Sequence, residues 1–156
     1  MRAILQRSAS SAVTVDGKIT GKIEKGLNIL LGVTHDDTKR EAELLARKTA
    51  ELRIFEDENG KMNLSVNDVG GSALVISQFT LYADASHGRR PSFIKAAKPD
   101  TANELYEYYC KCLGANGIGN VQKGVFGADM QVEIHNDGPV TIILDTDELK
   151  PKSQKG

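Results

Sequence analysis

Tryptophan is absent from the 156 residues, and Phe and Tyr together make up only 5% of them. The core is therefore expected to be built mainly from Leu, Ile, Val and Ala. Cysteine is almost as scarce. The two cysteines, Cys110 and Cys112, stand two apart in a helical-looking segment, a spacing that points them to different faces. They fit no four-ligand zinc pattern, and reduced thiols of a cytosolic protein are the expected reading. Long apolar runs are missing too. Met1–Leu5 gives way at once to Gln6, Arg7 and Ser8, and Ile142-Ile143-Leu144 is far too short to cross a bilayer. Neither a secretory signal nor a membrane span is expected, and the location expected is cytoplasmic. No Gly-x-Ser-x-Gly elbow, Walker loop or His-Glu-x-x-His motif occurs. His35, His87 and His135 lie in unrelated segments with no acidic orienter or nucleophile beside them. No metal and no cofactor are expected.

What is present fits one compact α+β domain over residues 1–156, with about 145–156 as a poorly specified tail. A chain of this length buries roughly 70% of its unfolded surface and needs no disulfide or metal staple. Net charge is −1, which excludes a wholly basic nucleic-acid binder, but the charge is uneven. Arg89, Arg90, Lys95 and Lys98 form an acid-free stretch, and Lys150, Lys152 and Lys155 follow the last acid. Set those seven aside and the rest carries 13 basic against 21 acidic residues. Such a patch permits local contact with phosphate.

Arg2–Arg7 and Ala12–Val15 read as short strands, and Asp16-Gly17 as a hairpin turn into Ile19–Ile23. Leu27–Val33 reads as a buried strand. Thr38–Leu52 reads as a helix with Thr38 and Glu41 as its capping box. A second helix opens near Pro99, with Thr101 and Glu104 as its box and Gly114 or Gly117 at its end. Ser72–Leu81 reads as a strand covered on both faces at Ala73–Ile76. Met130–His135 and Val140–Leu144 close the chain as strands. The expected architecture is a mainly antiparallel, curled, barrel-like sheet with two covering helices.

Two segments concentrate polar chemistry. Ser77-Gln78-Phe79-Thr80-Leu81 places two hydroxyls, an amide and a ring at a strand end, a common place for a site. Asn136-Asp137-Gly138-Pro139-Val140-Thr141 resembles a hairpin, but Pro139 cannot donate to a ladder. Gly next to Pro leaves bare backbone that another group can approach closely.

Together these segments resemble the D-aminoacyl-tRNA deacylase family of the bacterial and eukaryotic type, whose signatures are Ser-Gln-Phe-Thr-Leu/Met and Asn-x-Gly-Pro-x-Thr. Both signatures match in full, and the resemblance extends to Met1–Arg7, to Gly88–Phe93 and to Gly124–Met130. The resemblance implies a hydrolase that cuts the ester of D-aminoacyl-tRNA, and mischarged glycyl-tRNA with it, without a cofactor. It implies a homodimer with tRNA as partner and active sites at the subunit interface. Ser77, Gln78, Phe79 and Thr80 would form the catalytic segment. Gly138 and Pro139, joined by a cis bond, would enter the partner's pocket together with Asn136, held in orientation by Arg7. Gln78 and Phe79 would shape the pocket for the terminal adenosine, with Phe79 or Phe126 stacked on its base; Phe126 and Met130 are candidate substrate-binding residues, and Arg89, Arg90 and Lys95 candidates for phosphate contact. Two chemical routes stay open: Thr80 as a nucleophile, or backbone N–H groups acting with the ribose 2′-hydroxyl. The rival function is a non-catalytic binder of tRNA 3′ ends.

Overall fold

The structure is a computed structural model, and it describes residues 1–150. The first strand, β1, is a single unbroken run, Arg2–Val15, not two short ones. Its near half, Arg2–Ser8, pairs antiparallel with β3 (Gly26–Gly32), and its far half, Ser11–Val15, pairs with β2 (Lys18–Ile23). The turn between β1 and β2 is the expected Asp16-Gly17, both residues at positive φ (49° and 78°) as a type I′ hairpin requires. The strand β8 (Gln131–Asp145) runs along the other side of β1 for its whole length.

The sheet is mixed: the pairings of β1 with β2, β3 and β8 are antiparallel, as expected of most of it, but two further pairings are parallel, which the sequence did not foresee. The helix α1 (Lys39–Glu51) carries the chain from β3 to β6 (Ser72–Ser77), after the small β4–β5 hairpin (Phe55–Glu56 and Met62–Leu64). The helix α2 (Pro99–Ala115) carries it from β6 to β7 (Val121–Lys123). Each helix acts as a crossover, and each of those strand pairs is parallel. The order is β2-β1-β3-β6-β7, and the sheet curls until β2 meets β7. At Gly21 an added Cβ would lie 2.6 Å from the Lys123 carbonyl oxygen, so only glycine permits that approach.

Thr38 caps α1 through the expected box with Glu41. The second box is not formed. Lys98 is the N-cap of α2, Pro99 and Asp100 open the helix, and Thr101 is already inside its first turn. Asn116 caps its end, with Gly117 following at φ 100°. A third helix, α3 (Thr146–Leu149), lies in what the sequence left as tail; Thr146 is fully buried and its hydroxyl accepts from the Met1 ammonium at 2.9 Å. Lys152 and Lys155 lie outside the described residues.

The core under the two long helices is largely aliphatic, with Leu5, Leu27, Ile29, Leu31, Leu45 and Val75 almost wholly enclosed. Aromatics contribute more than their number suggests: Phe55, Tyr106 and Tyr109 are among its largest buried side chains. Cys110 and Cys112 are both buried free thiols. A smaller cluster of Val13, Ile23, Leu74 and Ile76 fills the barrel on the other side of the sheet, and Met130 and Val132 pack against it. No helix among the described residues is long and apolar enough to cross a membrane.

Candidate active site

The β6 strand ends at Ser77, where the Gln78 N–H makes a last ladder-like bond to the Leu31 carbonyl at 2.8 Å. The chain then tightens into a 3-10 turn, Phe79–Tyr82, where a continuing strand was expected. The N–H groups of Phe79 and Thr80 open that turn and have no acceptor inside it.

A cavity of about 640 Å³ lies at this strand end. Ser77, Gln78 and Phe79 form one wall, and Phe126 and Met130 another. Phe79 and Phe93 meet edge to face, 5.2 Å between centroids, and both stay substantially exposed. Phe126 leans on Tyr106, 6.2 Å between centroids. Burial raises the pKa of the Tyr106 phenol, which remains protonated and donates to the Val75 carbonyl at 2.7 Å. The lining is mostly apolar, as small-molecule sites are. It holds no His, Asp, Glu, Cys or Tyr among the described residues; its one charged member is Lys98.

Thr80 is exposed and stands outside this lining. Its Oγ1 accepts from the Gln78 side-chain amide. An amide N–H cannot take a proton, so this contact orients the hydroxyl without activating it.

The second motif is neither a hairpin nor a break between strands. Both flanks pair with β1, Asn136 opposite Ser8 and Thr141 opposite Gln6, and residues 137–140 loop out as a bulge opposite Arg7. The motif's spacing now has a mechanical reason. The Asn136 amide donates to the Thr141 hydroxyl at 3.0 Å, and its oxygen accepts from the Val140 N–H at 3.2 Å, which clamps the base of the bulge. Arg7, only 6% exposed, holds its tip: Nε donates to the Asp137 carbonyl at 3.1 Å and Nη1 to the Ile54 carbonyl at 2.9 Å. Carboxylates of Asp137 (3.4 Å) and Glu56 (3.9 Å) complete its surroundings. Gly138 has φ 127°, the Gly138-Pro139 bond is cis, and both residues are exposed.

Ser77, Gln78, Phe79, Phe126 and Met130 are thus brought together in one cavity. Arg7, Asn136, Gly138 and Pro139 are brought together elsewhere, and none of them lines that cavity in the same chain. Arg89 and Arg90 sit exposed in a loop closed by reciprocal backbone bonds between Asp84 and Ser92, at 2.7 and 2.8 Å. Lys95 pairs with Asp84 at 3.7 Å. Ala96, Ala97, Lys98 and Ala102 also line the cavity, and the sequence reading did not place them there. They come from a loop and a helix start with no periodic pattern; the single available signal was the unbalanced charge from Arg89 to Lys98.

An apolar cleft at a polar strand end, rimmed by one lysine, defines a small-ligand site on a barrel-like mixed sheet. The chain belongs to the D-Tyr-tRNA(Tyr) deacylase family, whose model matches residues 4–145. A protein from Koribacter versatilis (strain Ellin345) named D-aminoacyl-tRNA deacylase is 58% identical over 146 residues, covering 94% of this chain and 97% of its own. One of the same name from Thermus aquaticus is 54% identical over 148 residues, covering 95% and 97%. Among solved structures, one titled c-Myc DNA Unwinding Element Binding Protein superposes with TM-score 0.88 at 40% identity, over 93% of this chain and 98% of its own. Another, titled as a probable eukaryotic D-amino acid tRNA deacylase, superposes with TM-score 0.78 at 17% identity, over 92% and 97%, and shows the shared fold.

Proposed function

We propose that this protein hydrolyses the ester between a D-amino acid and the 3′-terminal ribose of tRNA, and spares the L-aminoacyl ester. Family membership and relatives above 50% identity over nearly the whole chain make it a hydrolase, a D-aminoacyl-tRNA deacylase. The observation that carries the finer reading is the separation of two built parts: an apolar cavity at Ser77–Phe79, and an exposed, clamped Gly138-Pro139 bulge that no part of the same cavity receives.

A second copy of the chain resolves that separation. In a homodimer each subunit gives its bulge to the partner's cavity and receives one in return, an isologous arrangement. In support, β8 is an open 15-residue edge that pairs only with β1 among the described residues, and Ile143 on it is 67% exposed. Long bare edges with exposed apolar groups seek a partner.

In that arrangement the Gly138 and Pro139 carbonyls accept from the substrate α-ammonium. With the ammonium and the ester fixed, the third substituent of Cα has one open direction. A D side chain takes it, and an L side chain runs into the bulge. Backbone atoms do the reading, so tolerance of D side chains is broad, and achiral glycyl-tRNA is also cut. Phe79 and Phe126 offer faces on which the terminal adenine stacks. Arg89, Arg90 and Lys95 face the acceptor-stem phosphates, Lys95 at the cost of its Asp84 contact.

The chemistry proceeds by water attack helped by the neighbouring ribose 2′-hydroxyl, with the N–H groups of Phe79 and Thr80 holding the developing oxyanion. The lining holds no His, Asp or Glu among the described residues, and Thr80 has only the Gln78 amide beside its hydroxyl, which favours this over attack by Thr80. Thr80→Ala is therefore expected to retain turnover within about tenfold of the parent, the scale of a lost positioning contact; complete loss in a folded variant makes Thr80 the nucleophile. The function itself is tested by incubating the protein with D-tyrosyl-tRNA. Release of D-tyrosine is expected, whereas protection of the ester from spontaneous hydrolysis identifies a binder of tRNA ends.

A further inference from the structure

We propose that Lys98 is a substrate-binding residue that holds the phosphate on the 5′ side of the terminal adenosine and directs the strand out past a second cavity. The proposal rests on reading the main cavity as the aminoacyl-adenosine site.

Lys98 is the one charged residue lining the main cavity, and it also lines a second one of about 230 Å³. The two cavities share Ala97 and Lys98, so the lysine stands on the ridge between them. The ridge is held at two points: Ala97 N–H donates to the Val33 carbonyl, just past the end of β3, at 3.0 Å, and the Lys98 carbonyl accepts from Ala102 N–H in the first turn of α2 at 2.9 Å. Of the lysines near it, Lys95 is held by Asp84. Lys98 forms no ion pair among the described residues.

A nucleotide whose base enters an apolar cavity must keep its phosphodiester out of it, because a buried unpaired charge is costly. An unpaired cation on the rim is where that phosphate gains most. The second cavity has the character of the next stop for a polynucleotide. It is roughly one third as large and is lined by Thr34, His35, Asp36 and Thr101. The Asp36 carboxylate keeps a phosphate on the Lys98 ridge and leaves the hollow for a neutral base or ribose. His35 Nε2 lies 2.7 Å from the Ile94 carbonyl, which can only accept, so Nε2 carries a proton. With Nε2 committed to that carbonyl, Nδ1 is the ring nitrogen left to meet a base or ribose in the hollow.

The test compares kcat/KM on D-tyrosyl-tRNA with that on 3′-O-D-tyrosyl-adenosine, which has no phosphate. In Lys98→Ala the ratio of the two is expected to fall about tenfold, one charge-assisted contact. Lys98→Arg is expected to keep the ratio. The salt dependence of tRNA binding is expected to weaken in Lys98→Ala by a slope of about 0.7. Adding a 5′-phosphate to the nucleoside ester restores sensitivity to Lys98→Ala. Extending it to a dinucleotide adds a further gain that His35→Ala diminishes. An unchanged ratio, whether both activities fall or neither does, overturns the proposal; a dinucleotide gain indifferent to His35 overturns the exit route. If the parent protein cleaves neither ester, the reading of the main cavity fails with it.

Discussion

Gly138→Ala is expected to lower D-aminoacyl-tRNA hydrolysis at least about 100-fold, the loss that a misplacement of about 1 Å produces at a reacting centre. The backbone there has φ 127°, a region L side chains rarely adopt. An added Cβ would lie 2.9 Å from Val140 Cγ2 and 3.1 Å from Arg7 Nη2. The flexible Arg7 end can yield, but Val140 belongs to the bulge itself and its N–H is held by Asn136. The methyl group must therefore move the carbonyls that are to hold the α-ammonium. An L residue held at that φ costs about 1–3 kcal/mol, so the melting temperature is expected to fall by roughly 3–10 °C while the chain stays folded, because the bulge is exposed and lies outside the core. Circular dichroism and a deacylation time course check both halves. Near-parental activity with a folded chain contradicts the role given to the bulge.

Arg7→Ala is expected to damage both stability and activity. The guanidinium is nearly buried; its removal strands the buried Ile54 carbonyl that it satisfies and releases the Asp137 carbonyl of the bulge. An orphaned buried polar group costs about 1–3 kcal/mol, a drop in melting temperature of roughly 3–10 °C for a chain of this size. Activity is expected to fall about tenfold or more, because the bulge loses the side chain that fixes its tip. Arg7→Lys discriminates a positioning role from a mere need for charge. A lysine carries one ammonium where the guanidinium reaches two carbonyls through different nitrogens, so it is expected to recover only part of either loss. Full recovery by lysine would assign Arg7 to charge alone.

Much of the site was legible because its two motifs are contiguous. Ser77–Phe79 and Asn136–Thr141 each form one local device, and the Asn136 clamp closes within six residues. The hairpin at Asp16-Gly17 and the Thr38–Glu41 box were legible for the same reason: each is local chemistry with one geometric solution. Long-range consequences were not. Period-two alternation along Met130–Leu144 fits any neighbour, and the pairing of both halves with β1 depends on a partner more than 100 residues away. The parallel pairs followed from where α1 and α2 return the chain, which no strand pattern encodes. Thr101 missed its capping role because Pro99, with its fixed φ, starts the helix earlier. Lys98 looked like one cation among four until the fold placed it on the cavity rim.

In the proposed function one site both cuts the ester and reads its stereocentre. The most direct measurement charges one tRNA separately with D-tyrosine and L-tyrosine and follows each ester with the protein as the only variable. Rapid loss of the D ester with the L ester spared, at a rate ratio of at least about 100 as a steric misfit near the reacting atoms requires, is the expected result. Equal loss of both esters would leave an esterase whose Gly138-Pro139 bulge does not select.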